Sequence, residues 1–178
     1  MQFPTVIETP RLLLRHWRED DAAACFRCAS SANVGPMCGW KPHRTEDESR
    51  EIIRTILSTD TTYAITLKGS GEAIGSIDLH PCDRPETMGH MELGYWLGEP
   101  YWGEGIMPEA GEALLQTAFD LGATEIWVRH FSDNHQSRRV IHKLGFAFRF
   151  RDTEWAPKLE TEKELWYYSL PRAAWEAR

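Results

Sequence analysis

The 178-residue chain carries 20 Lys and Arg against 27 Asp and Glu, a formal net charge of −7, with 42% hydrophobic residues. That length supports one hydrophobic core better than two, and the acidic balance argues against a broad nucleic-acid surface while mildly favouring a cationic substrate. No run of about 18 apolar residues is present to span a membrane, Met1-Gln2-Phe3-Pro4 lacks the basic and apolar regions of a signal peptide, and Cys25, Cys28, Cys38 and Cys82 read as reduced thiols, so a cytoplasmic protein is expected.

In chain order, Thr9 to Arg15 reads as an opening strand and Glu19 to Ser30 as a helix. Cys25 and Cys28 form C-x-x-C inside that helix without a second ligand pair, and the histidines show no H-E-x-x-H spacing, so no metal is expected. Thr45 and Glu48 form a capping box before Ile52, Ile53, Ile56 and Leu57. Thr62 to Leu67 and Ala73 to Leu79 read as strands joined through Lys68-Gly69-Ser70-Gly71. No repeat, low-complexity tract or linker interrupts the chain, so residues 1–178 read as one domain.

The aromatic and branched run Glu92 to Leu97 reads as a strand, and Ala110, Leu114, Ala118 and Leu121 recur at helical spacing up to Gly122. Between them lies Tyr101-Trp102-Gly103-Glu104-Gly105-Ile106-Met107-Pro108-Glu109. Gly103 and Gly105 let main-chain N–H groups approach a ligand, and the helix start adds free donors and positive potential, an arrangement suited to a pyrophosphate. The same residues also read as an ordinary loop. A third glycine at G-x-G-x-x-G spacing is missing, as is the Gly-Lys-Ser/Thr of a P-loop.

After a strand from Thr124 to Phe131, Asp133 or Asn134 is placed to cap a helix whose face is Ser137, Val140, Ile141 and Leu144, with Gly145 closing it. Asn134 and Ser137 then put an amide and a hydroxyl on its first turn, for a ligand or merely for capping and filling. Leu165 to Leu170 reads as the final strand, its Trp166-Tyr167-Tyr168 as core. Early helices, a central meander and later alternation suggest a mixed sheet covered on both faces.

Gly103-x-Gly105 after a strand, Asn134-x-x-Ser137-x-Arg139-Val140, Lys143-Leu144-Gly145-Phe146, the opening Thr9-Pro10-Arg11-Leu12-Leu13-Leu14-Arg15 and Glu92-Leu93-Gly94-Tyr95-Trp96-Leu97 occur in a shared order. In these the chain resembles the GCN5-related N-acetyltransferase (GNAT) superfamily, and within it the ribosomal-protein N-terminal acetyltransferase-like (RimJ/RimL-type) branch, over nearly its whole length. The resemblance implies an α+β (mixed α/β) acyl-CoA N-acyltransferase fold. Its central sheet would be mixed and mostly antiparallel, of roughly six or seven strands splayed at the cofactor cleft, with about four helices on both faces. It implies acetyl-CoA as cosubstrate, main-chain contacts from Tyr95, Trp96 and Leu97, and a pyrophosphate surrounded by Gly103, Glu104, Gly105, Ile106 and Met107. Asn134 and Ser137 would lie along the pantetheine arm, an amine would be the acceptor, and a homodimer is the family's suggestion; neither nucleic acid nor membrane is an expected partner. The chain departs from the pattern at Pro100, where many members carry Gln or Arg, and at Ile141, where many carry the tyrosine that protonates the leaving thiolate. Ser137 is the substitute acid the branch suggests.

Acetyl transfer to an amine requires a neutral nitrogen, a polarised thioester carbonyl and a proton for the thiolate. Glu92 on the strand entering the cleft is the leading base, and reads equally as a structural carboxylate facing an arginine. Glu154, His80, Asp78 and water are the alternatives. The functional reading is an acetyl-CoA-dependent N-acetyltransferase acting on a protein N-terminus or a small amine. An acyl-CoA-binding sensor without turnover is the alternative, and Gly103, Gly105 and Asn134 argue against a cofactor-free interaction domain. Specificity is expected from the early helices and from the loops Ser31 to His43 and Pro81 to Gly89.

Overall fold

The computed structural model describes residues 2–178. Eight strands form one sheet: β1 (Val6–Glu8), β2 (Leu12–Arg15), β3 (Thr62–Leu67), β4 (Ala73–Pro81), β5 (Met91–Leu97), β6 (Glu125–Phe131), β7 (Ala147–Ala156) and β8 (Thr161–Pro171). Their spatial order is β1-β2-β3-β4-β5-β6-β8-β7. Every neighbouring pair is antiparallel except β5 and β6, which run parallel. The helices are α1 (Ala22–Ala29), α2 (Glu46–Ile52), α3 (Ile106–Asp120), α4 (His135–Lys143) and α5 (Arg172–Glu176).

The mixed, mostly antiparallel sheet is as expected, but it holds more strands than six or seven, and five α-helices accompany it. One extra strand comes from the opening segment, which folds back on itself: Thr9-Pro10-Arg11 is the bend of a hairpin pairing Val6 with Arg15. There the Thr9 hydroxyl accepts the Leu12 N–H at 2.8 Å, a local side-chain bond that competes with extended backbone. The other is β7, an edge strand exposed along most of its length, so its residues carry no buried alternation to betray it. Downstream, the final strand is longer than Leu165 to Leu170 because β7 gives it a partner out to Thr161.

The capping box before α2 forms by half. Thr45 Oγ1 accepts the Glu48 N–H at 3.1 Å, while the Glu48 carboxylate accepts the N–H of Arg44 rather than that of Thr45.

Strand alternation in β3 sends side chains to two of three clusters, the third lying around Trp127, Phe131, Leu165 and Tyr167. Tyr63 and Ile65 join Leu114, Ala118 and Phe119 of α3, Ile141 of α4 and Leu144 just after it, whereas Ala64 joins Trp17, Cys25 and Ile53 beside α1 and α2. Helices therefore cover both faces. Where α3 meets α4, a Cβ on Gly111 would stand 2.8 Å from Leu144 Cδ1, and Leu144 is fully buried. Gly111→Val is therefore expected to lower unfolding free energy by about 1–3 kcal/mol in urea titration; an unchanged midpoint would mean the two helices separate freely.

The feature that makes a site is the brevity of the parallel ladder. β5 and β6 pair only at Met91 with Ile126 and Glu92 with Trp127, after which the strands part. β6 continues against β8 as far as Phe131, so its far half leaves β5 without leaving the sheet.

Candidate active site

The parting strands leave main-chain groups facing the gap. Gly98 N–H donates to Ile74 O at 2.8 Å, and in an antiparallel ladder such bonds recur at every second residue. Gly98, Trp96 and Gly94 thus spend their main-chain groups on β4, while those of Leu97, Tyr95 and Leu93 turn toward the opening. Two side chains already approach them: Trp102 Nε1 donates to Leu97 O at 2.8 Å, and Cys38 Sγ lies 3.9 Å from Tyr95 O.

At one end of the opening is the glycine turn. Gly103 and Gly105 have φ of 83° and 73°, left-handed values that a side chain would strain, and a Cβ on Gly103 would meet no atom within 4 Å. The space before Gly103 is open to a ligand, and the chain continues directly into the N-terminus of α3. A clamp fixes that helix: Glu109 accepts Thr9 Oγ1 at 2.6 Å, Arg11 N–H at 2.9 Å and Arg11 Nε at 2.6 Å. Burial raises the Glu109 carboxyl, but these bonds outweigh it and hold the group below its ordinary range. Arg11 also donates to the Glu104 carbonyl at 2.9 Å. The Glu104 side chain does not line the cleft, whereas Gly103, Gly105, Ile106 and Met107 do.

Opposite lies the first turn of α4. Asn134, not Asp133, is its cap: Oδ1 accepts the Ser137 N–H at 3.0 Å, and Nδ2 donates to Met37 O at 3.0 Å, tying α4 to the loop after α1. Ser137 Oγ lies 2.7 Å from the phenol oxygen of Tyr95, a contact that spans the opening from α4 to β5. Burial pushes the Tyr95 phenol up, against the Ser137 hydrogen bond. Ile141 is fully buried, so the hydroxyls near this turn are those of Ser137 and Tyr95. The side chain of Tyr95 escaped sequence reasoning; the signal was its alternation with Leu93 and Leu97, which assigns it to the α3–α4 face.

The other face of β5 carries Glu92, Gly94 and Trp96. Glu92 is 8% exposed, with Arg129 Nε 2.9 Å and His80 Nε2 4.0 Å from its Oε1. Burial raises the Glu92 carboxyl, and Arg129 and His80 oppose that rise. His80 Nδ1 is 2.7 Å from Asp78 Oδ2, and this hydrogen bond raises the imidazole above its ordinary value against desolvation. A Cβ on Gly94 would sit 2.6 Å from Asp78 Oδ1, so the glycine gives that carboxylate its room. Glu154 on β7 belongs to the same cluster: it accepts hydrogen bonds from Arg84 and Tyr167 and lies 3.5 Å from Arg129 Nη1, while Arg84 also binds Asp152 at 2.7 Å.

These pieces share one cleft of about 1310 Å³, lined by Glu92, Tyr95, Trp96, Leu97, Asn134 and Ser137 together with His80, Arg129 and Glu154 and the glycine turn. Asp78 stands behind His80. Among the described residues no group of three His, Cys, Asp or Glu is placed to hold a metal ion. Burial pushes the Cys25 thiol up to about 12 and that of Cys28 up to about 11, which keeps both protonated and unreactive.

Residues 11–147 match the family model of the acetyltransferase (GNAT) domain. The N-acetyltransferase YoaA of Bacillus subtilis is 28% identical over 150 residues, 81% of this chain and 83% of that protein. The crystal structure of a GNAT-family acetyltransferase from Bacillus anthracis superposes with a TM-score of 0.82 at 22% identity, covering 94% of this chain and 99% of that one. Ribosomal-protein-S5-alanine acetyltransferase from Vibrio fischeri shares the fold at a TM-score of 0.74 and 16% identity, over 97% of this chain and 99% of that one. The chain belongs to the GNAT acetyltransferase family and is an acetyltransferase. Among the described residues no helix is long and apolar enough to cross a membrane.

Proposed function

We propose that this GNAT acetyltransferase, acting as one domain, moves an acetyl group from acetyl-CoA directly to a primary amine. The observation that carries this reading is the gap beyond Glu92 and Trp127, where β5 turns main-chain groups of Tyr95 and Leu97 into a cleft closed at one end by an open glycine turn. Donors from Gly103 to Met107 suit the pyrophosphate, and β5 suits the pantetheine amides and the thioester carbonyl. Trp96 contributes its indole on the acceptor side, since its main chain is committed to β4. Asn134 serves the arm through Nδ2, which exchanges Met37 O for the ligand.

The amine approaches from the face of Glu92. Glu92 takes the ammonium proton directly or through water, with His80, backed by Asp78, as the next proton holder. The neutral nitrogen forms its bond to the acetyl carbon while β5 N–H groups stabilise charge on the carbonyl oxygen. The nitrogen gives its second proton to water or His80 as the carbon–sulfur bond breaks, the thiolate takes a proton from Ser137, and Tyr95, reprotonated from solvent, restores the Ser137 hydroxyl. Serine alone is a weak acid; the 2.7 Å contact with the Tyr95 hydroxyl orients it and links it to a second proton source. Ser137→Ala is expected to lower kcat about 10- to 100-fold, Tyr95→Phe less, with acetyl-CoA affinity unchanged in Ser137→Ala. Equal loss of affinity and turnover would reduce Ser137 to a binding group.

Free thiols at all four cysteines support a cytoplasmic setting. The test of function is thiol release from acetyl-CoA with a panel of amines and peptides: release that depends on the acceptor supports the enzyme, whereas binding without release from any acceptor supports a sensor.

A further inference from the structure

We infer that the acceptor is a primary amine carrying an aromatic or branched aliphatic group, which lies in a second pocket of about 580 Å³ beside the cleft. This rests on the acetyltransferase reading of the cleft. Trp96 and Pro157 are walls of both spaces, so the two adjoin. The volume falls in the range of small-molecule sites, about 300–1,000 Å³.

The chemistry of the second pocket selects its occupant. Trp40, Ile52, Ile56, Leu57, Trp96 and Pro157 form apolar walls. Trp96 is held between Trp17, stacked at 6.0 Å, and Trp40, edge-on at 6.0 Å, so the aromatic wall is preformed. The charged lining residues cancel, Lys41 and Lys158 against Glu48 and Glu160, and Lys41 is paired with Glu160 at 3.1 Å. Burial lowers the remaining titratable group, His43, which bonds Ser49 at 2.8 Å, and so disfavours a positive charge there. A polyamine or aminosugar would find no excess of carboxylates there, whereas an apolar group gains area removed from water. Ile56, 51% exposed on this wall, is left uncovered by the chain itself.

The pocket also stands in register with the proposed base. Trp96 lies four residues along β5 from Glu92 on the same face, about 13 Å at strand rise. The reactive amine and the apolar group therefore lie along one face of β5.

The test compares 4-phenylbutylamine, butylamine and spermidine as acceptors, in wild type and Ile56→Asn. The phenyl compound is expected to exceed butylamine in kcat/KM by about 10- to 100-fold. Ile56→Asn should cut that advantage about tenfold, leaving butylamine turnover and acetyl-CoA binding unchanged. Saturation-transfer NMR on the phenyl protons, without acetyl-CoA, reads the pocket independently of catalysis and should show contact that weakens in Ile56→Asn. Failure of acetyl-CoA to bind would sink the acetyltransferase reading and leave the NMR result to judge the pocket. Preference for spermidine, absence of phenyl saturation, or saturation indifferent to Ile56→Asn would overturn the inference.

Discussion

Glu92→Gln is expected to lower kcat about 10²–10⁴-fold while leaving acetyl-CoA affinity unchanged. The amide keeps the size of the side chain and an oxygen for Arg129 to approach, so the change removes chiefly the ability to accept a proton. Burial raises the Glu92 carboxyl, which moves its basic form closer to neutral pH. The wild-type rate should therefore fall as pH drops through a value above the ordinary carboxylate range, and that acidic limb should be lost or displaced in Glu92→Gln. Stability carries its own sign. With the folded pKa above the unfolded one, ionisation favours the unfolded chain, so stability declines as pH rises from the ordinary carboxylate value through the raised one. Glu92→Gln flattens that decline. If Glu92 serves only to pair Arg129, 2.9 Å away, kcat would stay within about twofold and the acidic limb would persist.

Gly103→Val is expected to weaken acetyl-CoA binding at least about tenfold, or 1.4 kcal/mol. At a φ of 83° the substitution strains the backbone by about 1–2 kcal/mol. No atom of the chain lies within 4 Å of the new Cβ, so the branched side chain fills space that the pyrophosphate would need. Gly122→Val is the matched control: its φ is 104°, its Cβ would also meet nothing within 4 Å, and it follows α3 at the end away from the turn. Both variants should lose stability alike in urea titration, and only Gly103→Val should lose affinity in calorimetry. Equal affinity losses would make the Gly103 effect one of general backbone strain.

What could be read from the chain is mostly local chemistry. The two left-handed glycines before α3, the α4 cap and the Gly145 stop are each decided within a few residues; the glycines lie where the sequence placed them, and the cap is Asn134, one of the two residues the sequence offered. The shortening of the expected strand Thr9 to Arg15 to Leu12–Arg15, with a second strand at Val6–Glu8 before the bend, was hidden because apolar Leu12, Leu13 and Leu14 dominate the pattern while one threonine hydroxyl makes the bend. β7 was hidden because an exposed edge needs no alternation. In the site, Tyr95 with Ser137, and Arg129 between Glu92 and Glu154, join residues brought together by sheet register alone. The proposed arginine facing Glu92 has a partner of this kind, and nothing in the local sequence names Arg129 as that residue.

A calorimetric titration of the purified protein with acetyl-CoA tests the central claim most directly. A single saturable site, weakened in Gly103→Val and intact in Ser137→Ala and Gly122→Val, is the expected result. No binding, or binding indifferent to Gly103→Val, would contradict the assignment of acetyl-CoA to the opening between β5 and β6.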